Sequence, residues 1–254
     1  MNDLKLNARG KTAIVTGGAK GIGRQGVEAF LRSGANVLIA DIDTKTAKAT
    51  AQEITSIGPR IEIVETDVTN PESVQNMVSH AVDTFGRIDI LFNNAGICVN
   101  ESAQEMSIES WKKVIDINLT GIFLVAQKVG GVMIAQKGGV IINTASMSAH
   151  IVNQPQPQCS YNASKAGVIQ LTKSLAVEWA AYGVRVNSIS PGYVATEMTL
   201  KAPEEWKAHW TSHGVYDRMG NPEELESVLL YLASGASSFT TGADIVIDGA
   251  FSCI

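Results

Sequence analysis

The sequence predicts an α/β fold, a doubly wound parallel sheet of about seven strands with helices on both faces. Short apolar runs alternate with segments of helical spacing along all 254 residues. A glycine-rich turn, residues 16–23, follows the first apolar run. No linker, repeat or low-complexity segment divides the chain, so we expect a single domain over residues 1–254.

The predicted strands are short runs rich in Val and Ile without strict polar alternation, which is typical of parallel strands buried on both faces. In chain order they cover residues 12–16, 36–41, 60–65, 89–92, 139–143, 184–189 and 244–247.

The predicted helices are justified by apolar spacing and by their end signals. The first follows the glycine-rich turn and runs to about residue 34, and the second, 44–57, stops at Gly58-Pro59. The remaining helices cover residues 69–86 with proline near the start, 107–135 as one long helix or two joined, 160 to about 183, and 222–233 with Asn221 as a cap.

The segment 192–220 reads as irregular and is rich in Trp, His and Met. It follows the carboxyl end of the sixth strand, the edge where doubly wound sheets bind ligands. We therefore predict a substrate lid at residues 192–220. Trp206 and Trp210 lie four residues apart within it, so they either close over a substrate or pack against another subunit.

Composition excludes several classes of protein. The net charge is −5, which gives no support for a nucleic-acid or anionic-membrane partner. Residues 1–7 lack a signal-peptide apolar region, and we expect no apolar run that is long enough to span a membrane. Three scattered cysteines predict neither disulfides nor a metal site, so we expect a reduced, cytoplasmic protein. His209 and His213 lack a third metal ligand at a fixed spacing.

The glycine-rich turn predicts a dinucleotide site of Rossmann-like type. Gly17, Gly21 and Gly23 stand between a strand and a helix. Glycines there let backbone N–H groups approach a pyrophosphate, whose charge the following helix N-terminus favours. Any tight turn between strand and helix can use glycine, but the strand–turn–helix–strand context favours the dinucleotide.

Asp41, at the end of the second strand, predicts NAD as the cofactor. An acid at that position can bind the ribose hydroxyls of NAD and would repel the extra phosphate of NADP. Asp43 adds a second negative charge, whereas Lys20 in the turn could meet that phosphate. The alternative for Asp41 is a solvated acid at a strand end.

Tyr161 and Lys165 are four residues apart and so share one helix face. A nearby cation lowers the pKa of a phenol, and a shift from about 10 to about 7 requires roughly 4 kcal/mol. The spacing alone arises often by chance, so its meaning depends on the rest of the chain.

With these motifs in order, the chain resembles the short-chain dehydrogenase/reductase family along nearly its whole length. The turn matches T-G-x-x-x-G-x-G, residues 93–96 match N-N-A-G, and Tyr161 and Lys165 match Y-x-x-x-K. The resemblance implies cofactor contacts from Gly17, Lys20, Gly21, Ile22, Gly23, Asp41, Asp67, Val68, Asn94, Ala95, Gly96, Tyr161, Lys165, Pro191, Gly192, Val194 and Thr196.

The resemblance also implies a catalytic set. Tyr161 would be the general acid/base, and Lys165 would stabilise its phenolate and bind the nicotinamide ribose. Ser146 would orient the reacting oxygen. Asn118 would hold a water linking Lys165 to solvent; the alternative, compatible with this role, is that it satisfies a backbone kink in its helix. Family members are usually dimers or tetramers, so we expect a homo-oligomer.

A narrower resemblance, over residues 146–200, is to the polyol dehydrogenase branch, which interconverts arabinitol, sorbitol, mannitol or galactitol with ketoses. The segment 149–160, here named the lip, is rich in amide side chains that suit a polyol or ketose. The candidate substrate-binding residues are Ser148, Asn153, Gln158 and Tyr193. The alternative is a solvated polar loop. Cys159, two residues before Tyr161, is a further candidate for lining the pocket.

Two other functions stay open. An NADPH-dependent beta-ketoacyl carrier-protein reductase of the same family would favour NADPH and a basic docking patch, which Asp41 and the acidic charge balance oppose. A non-catalytic dinucleotide-sensing protein would not need Asn118, Ser146, Tyr161 and Lys165 together.

Overall fold

A computed structural model of the chain describes residues 6–254. The larger part of the N-terminal segment used above to argue against a signal peptide, residues 1–5, lies outside the described residues.

Seven strands form one sheet in the order β3-β2-β1-β4-β5-β6-β7, and every neighbouring pair is parallel. The predicted fold class is confirmed. The strands are β1 Thr12–Thr16, β2 Asn36–Asp41, β3 Ile61–Glu65, β4 Ile90–Asn93, β5 Gly139–Thr144, β6 Val184–Pro191 and β7 Asp244–Ile247. The strand order reverses between β1 and β4, and this switch point opens a crevice at the carboxyl edge of the sheet.

Helices cover both faces of the sheet. They are α1 Gly21–Arg32, α2 Thr44–Ile54, α3 Pro71–Phe85, α4 Ile108–Ile115, α5 Ile122–Ala135, α6 Cys159–Trp179, α7 Glu197–Leu200, α8 Glu204–Ser212 and α9 Glu226–Ala233. Alternate residues of one strand enter different cores, because side chains along a strand point to opposite faces. Val15 packs with Phe30 of α1 and Leu229 of α9, while Ile14 packs with Met77 of α3 and Val129 of α5.

The segment predicted as one long helix or two joined is continuous from Ile108 to Ala135. A π-helical turn, Asp116–Gly121, joins α4 to α5. By length and composition this helix could cross a membrane, with a mean hydropathy of 1.5 over 18 residues. Our expectation that no apolar run reaches that length was wrong. Val125, Val129 and Met133 are fully buried in the core, and this burial accounts for part of the apolar composition, since 44% of that stretch is buried.

Several predicted boundaries need correction. The second helix ends at Ile54 rather than residue 57, and β3 begins at Ile61 rather than residue 60. The segment 192–220 is not wholly irregular, since it contains α7 and α8. Thr196 starts α7 through a capping box with Thr199, a local signal that the sequence reading missed. Asn221 does cap the last helical segment, which begins as a 3-10 turn, Pro222–Leu225.

Candidate active site

Two adjacent cavities lie at the carboxyl edge of the sheet. The first has a volume of about 400 Å³ and extends from the β1–α1 turn toward β3. The second has a volume of about 340 Å³ and lies between the lip and residues 192–210. Tyr161 and Met198 line both cavities, so the phenol stands where the two spaces meet.

The β1–α1 turn forms one end of the first cavity and leaves room for a bound group. Gly17 and Gly21 have φ values of +64° and +57°, which side chains rarely adopt. A Cβ on Gly23 would lie 2.0 Å from the Gly17 carbonyl oxygen, so only glycine fits the turn. Among the described residues, no side chain caps the N-terminus of α1. Its first N–H groups are therefore available to an anion.

Asp41 is held at the edge of the first cavity by two backbone donors. Its Oδ2 accepts a 2.9 Å hydrogen bond from the N–H of Ala19, and its Oδ1 accepts one of 2.9 Å from the N–H of Asp43. Asp43 in turn caps α2 by accepting hydrogen bonds from the hydroxyl and the N–H of Thr46. The hydroxyl first, and then the N–H, lowers the pKa of the Asp43 carboxyl. The cavity edge therefore carries fixed negative charge.

The segment Asn94–Gly96 closes the other side of the β1–α1 turn. The N–H of Asn94 donates to the Thr16 hydroxyl at 2.9 Å, and the Asn94 amide donates to the Thr16 carbonyl at 3.2 Å. The Thr144 hydroxyl donates to Asn94 Oδ1 at 3.2 Å. These bonds tie the ends of β1, β4 and β5 together around the cavity.

Most of the predicted cofactor residues line the first cavity. They are Gly17, Lys20, Gly21, Ile22, Asp41, Asp67, Val68, Asn94, Ala95, Gly96, Tyr161, Lys165 and Thr196. Four predicted residues do not line it. Gly23 lies beneath the turn, Pro191 and Val194 are buried, and Gly192 lines the second cavity. The sequence reading missed other lining residues, among them Ile42, Thr66, Ile97, Ile117, Thr144 and Met198.

Tyr161 lies in the first turn of α6, and Lys165 lies one turn later, 2% exposed. The Lys165 ammonium is 5.5 Å from the centroid of the Tyr161 ring and donates a 2.6 Å hydrogen bond to the Thr144 carbonyl. The Ser146 hydroxyl lies in the second cavity and donates to the Ser148 hydroxyl at 3.1 Å. Phenol, ammonium and hydroxyl therefore come together where the cavities join.

Burial dominates the ionisation of this group. It raises the pKa of Tyr161 well above its ordinary value, with a smaller effect of Cys98 in the same direction and an opposing hydrogen bond from Ser146. Burial also lowers the pKa of Lys165 to about 8. The lowering of the phenol pKa was expected from Lys165 together with the cationic nicotinamide ring, so it stays a prediction for the cofactor-bound protein.

Asn118 is fully buried in the π-helical turn and lines neither cavity. Its Oδ1 accepts from the N–H of Ile97 at 2.9 Å, and its Nδ2 donates to the Ile97 carbonyl at 2.9 Å. A Cβ on Gly96 would lie 3.3 Å from Asn118 Oδ1 and 3.6 Å from Lys165 Nζ. Asn118 thus fixes the wall beside Lys165, and its role in a water relay stays a prediction.

The four predicted substrate residues, Ser148, Asn153, Gln158 and Tyr193, all line the second cavity. Asn153 and Gln158 are only 4% and 7% exposed, so these two amides of the lip are not solvated, whereas Val152 and Gln154 of the same segment are exposed. Gln156, which the sequence reading did not select, is equally buried and lines the same cavity.

Two tryptophans and a cysteine complete the second cavity. Trp206 and Trp210 both line it, as expected if they close over a substrate, and packing against another subunit stays the alternative. Cys98 lines it as well, although Cys159 was the cysteine expected there. Cys159 is exposed and lies against Met106, with its Sγ 3.9 Å from the Met106 Sδ.

The two lid histidines form no recognisable metal centre. His209 and His213 stack with ring centroids 3.8 Å apart. Within residues 6–254, no group of three or more His, Cys, Asp or Glu side chains is placed to hold a metal ion.

Comparisons with known proteins agree with this geometry. A family model described as enoyl-(acyl carrier protein) reductase matches residues 17–252. A crystal structure of a short-chain type dehydrogenase/reductase from Mycobacterium marinum is 42% identical, with a TM-score of 0.95 over 98% of both chains.

Some curated relatives are named for a sugar or sugar alcohol, and others for a 3-oxoacyl-(acyl-carrier-protein). The sorbose reductase of Candida albicans is 42% identical over 98% of this chain and 89% of its own length. A probable NADP-dependent mannitol dehydrogenase of Yarrowia lipolytica is 40% identical over 98% of this chain and 90% of its own. A 3-oxoacyl-(acyl-carrier-protein) reductase of Thermotoga maritima is 38% identical over 96% of this chain and 98% of its own.

Proposed function

Because the chain belongs to the short-chain dehydrogenase/reductase family, within its polyol dehydrogenase branch, we propose that it interconverts a polyol and a ketose with NAD(H). The observation that carries the substrate class is the second cavity, where three buried amide side chains from the lip surround the space beside Tyr161. Amides both donate and accept hydrogen bonds, so they match a chain of hydroxyl groups.

The first cavity fits a nicotinamide dinucleotide. Glycine is required at the β1–α1 turn, and the uncapped N-terminus of α1 suits the pyrophosphate. Asp41, with both carboxylate oxygens fixed by backbone donors, would accept hydrogen bonds from the ribose hydroxyls. A phosphate at that ribose would meet the negative charge of Asp41 and Asp43, so we propose NAD over NADP.

The protein's own residues would handle the proton. When bound, the oxidised cofactor supplies the hydride acceptor and a positive charge near the phenol. Tyr161 takes the proton of the alcohol during oxidation and returns it during reduction. Lys165 stabilises the negative charge on the phenol oxygen, and Ser146 donates a hydrogen bond to the reacting oxygen. Because burial raises the pKa of Tyr161, the phenol stays protonated without the cofactor.

The beta-ketoacyl carrier-protein reductase is the second candidate, favoured by the 38% identity to the Thermotoga maritima enzyme. It needs a pocket for an acyl thioester and a cofactor site that accepts NADPH. The buried amides of the lip and the charge of Asp41 support the polyol instead. A non-catalytic sensor has no need for the phenol, ammonium and hydroxyl that meet where the cavities join.

A spectrophotometric panel tests the proposal. The chain is assayed with NAD and NADP against arabinitol, xylitol, sorbitol, mannitol and galactitol, and in reverse with fructose, sorbose and a ketoacyl thioester. We expect kcat/KM to be highest for a polyol or ketose with NAD(H). A preference for the thioester with NADPH would support the second candidate, and absence of turnover would support the sensor.

Tyr161→Phe tests the proton-transfer step. Removal of the phenol hydroxyl should lower kcat by about 10²- to 10⁴-fold, the usual contribution of a general acid/base. NADH affinity, measured by fluorescence, should stay within a few-fold of wild type. Turnover that survives within a few-fold would show that another group transfers the proton.

We also propose that the chain forms a homo-oligomer through α4, α5 and α6. These helices expose Trp111, Phe123 and Val177, the last at 81%. Burial of such side chains against a second copy would be favourable by about 25 cal/mol per Å² of apolar surface. Sedimentation equilibrium should give a dimer or tetramer, and Phe123→Glu should shift the distribution toward the monomer.

A further inference from the structure

The Tyr193 side chain is held rigidly in the wall of the second cavity. It follows β6 and stacks on Trp210, with ring centroids 4.3 Å apart and an interplanar angle of 12°. The Phe251 ring contacts it edge-on, with centroids 5.2 Å apart. Because two aromatic rings fix the Tyr193 ring, the position of its hydroxyl group is also fixed.

The Tyr193 oxygen accepts two hydrogen bonds from lip amides. Gln156 Nε2 donates at 2.9 Å, and Asn153 Nδ2 donates at 3.1 Å. The Gln156 orientation is decided by Trp210, whose indole N–H donates to Gln156 Oε1 at 2.9 Å. An indole can only donate, so Gln156 must present its oxygen to Trp210 and its NH₂ to Tyr193.

The orientation of Asn153 follows from a second chain of contacts. Gln158 Nε2 donates to Asn153 Oδ1 at 3.2 Å, which leaves the Asn153 NH₂ facing Tyr193. Gln158 Oε1 lies 3.7 Å from the Cys98 sulfur. Burial raises the pKa of that thiol to about 11, so it stays protonated and can donate weakly to Gln158 Oε1.

The phenolic oxygen of Tyr193 thus has both lone pairs occupied, and its remaining capacity is the O–H proton. Among the described residues no acceptor takes that proton, whereas the side chain lines the cavity. We propose that Tyr193 determines specificity by donating a hydrogen bond to a substrate oxygen other than the reacting one, with Gln156 as the positioning residue that fixes this polarity.

This inference rests on the proposed polyol or ketose substrate and sharpens it. The substrate must carry a hydroxyl or carbonyl oxygen on a carbon beyond the one oxidised. A substrate without that oxygen would leave the Tyr193 proton buried and unpaired, which is unfavourable. Trp210, by holding Gln156, links the lid to this preference.

Monodeoxy analogues of the best substrate from the panel provide the test. For wild type, loss of one particular hydroxyl should lower kcat/KM about tenfold, mostly through KM. For Tyr193→Phe, kcat/KM on the parent substrate should be about tenfold below the wild-type value. On that analogue it should be no more than twofold below the wild-type value. Tyr182→Phe removes a hydroxyl from an exposed tyrosine in the turn after α6, outside the lid and both cavities, and should behave as wild type.

Gln156→Glu tests the positioning role with almost unchanged shape. The carboxylate can still accept from Trp210, but its other oxygen would accept the Tyr193 proton and withdraw it from the cavity. We expect the same tenfold loss on the parent substrate even though Tyr193 is present. Addition of Tyr193→Phe to Gln156→Glu should cause no further loss. NADH affinity and the circular dichroism spectrum serve as the check on folding.

Two results would overturn the inference. One is an unchanged kcat/KM of Tyr193→Phe on the parent substrate. The other is a Tyr193→Phe variant whose kcat/KM falls by the same factor on the parent substrate and on every analogue. That result is expected if the side-chain amides of Asn153 and Gln158 were flipped, so that Asn153 Oδ1 accepted the Tyr193 proton. Failure of the proposed function is distinguishable, since it removes polyol turnover from the wild-type protein before any variant is compared.

Discussion

At the carboxyl edge of the sheet, the surrounding residues determine the orientation and the protonation of individual side chains. Asp41 lies at the end of a strand like many solvated acids, yet two backbone N–H groups fix its carboxylate toward the first cavity. Burial gives Tyr161 and Lys165 the neutral form over a wider pH range than in water. Each of these effects can be measured separately.

Asp41→Asn should relax the cofactor preference. The amide keeps the size of the side chain but removes the charge that would repel a ribose phosphate. We expect the ratio of kcat/KM with NADP to that with NAD to rise at least tenfold, about 1.4 kcal/mol. Asp83→Asn removes an equal charge from an exposed position on α3 and should leave the ratio unchanged. The same ratio in both variants would exclude Asp41 as the discriminating residue.

Lys165 should make stability depend on pH. Its folded-state pKa of about 8 lies below the ordinary value of 10.5, so between these values the unfolded chain binds more protons. Stability contributed at this site therefore rises with pH across that window. The free energy of unfolding of wild type relative to Lys165→Met should increase by roughly 2 kcal/mol from pH 8 to pH 10. Urea titrations measure this, and a constant difference would contradict the buried-ammonium assignment.

At the scale of elements, the sequence predicted the features that depend on residues close together along the chain. The β1–α1 turn, the cap at Asn221 and the seven strands have local signals of glycine, capping residues or apolar runs. Gln156 and Trp210 had no such signal, because they are 54 positions apart and meet only after the lip and the lid fold together. Thr144 and Ile117 line the first cavity for the same reason, since separate elements bring them there.

The packing of α5 on the end of α6 depends on one of two adjacent glycines. A Cβ on Gly130 would lie 2.6 Å from the Trp179 ring, whereas a Cβ on Gly131 would meet no described atom within 4 Å. Both substitutions by alanine improve helix propensity by about 0.5–1 kcal/mol. The free energy of unfolding of Gly130→Ala should nevertheless be lower than that of Gly131→Ala by roughly 1–3 kcal/mol, because the Trp179 ring must shift.

Denaturant unfolding of both glycine variants at one protein concentration gives this difference. Sedimentation should first verify that the two variants have the same assembly state. Equal stability of the two variants would mean that Trp179 moves aside without cost and that the contact does not fix the helix pair.

For the whole molecule, the parallel sheet could be predicted from the alternation of strands and helices, and the family from the order of the motifs. The shape of the second cavity could not be predicted from the sequence, because it depends on how α7 and α8 lie over the lip. The apolar helix from Ile108 to Ala135 likewise could not be interpreted from its composition alone, because the burial of its core residues depends on the assembled fold.

Cofactor binding should stabilise the entire fold. A ligand that binds only the folded state at 100 times its dissociation constant adds about 2.7 kcal/mol. For a chain of this size we expect roughly 5–10 °C of increase in Tm with saturating NADH. NADPH at the same concentration should give a clearly smaller shift, and Asp41→Asn should narrow the gap. Equal shifts in the wild-type protein would contradict the proposed NAD preference.

The position of α7 has a thermodynamic consequence. Glu197 lines the first cavity, Thr199 lines the second, and Met198 between them lines both. A group bound in either space therefore constrains the same short helix, so we expect a coupling free energy between the two occupants. Such coupling is reciprocal. If the dinucleotide changes the affinity for the proposed polyol by some factor, the polyol must change the affinity for the dinucleotide by the same factor.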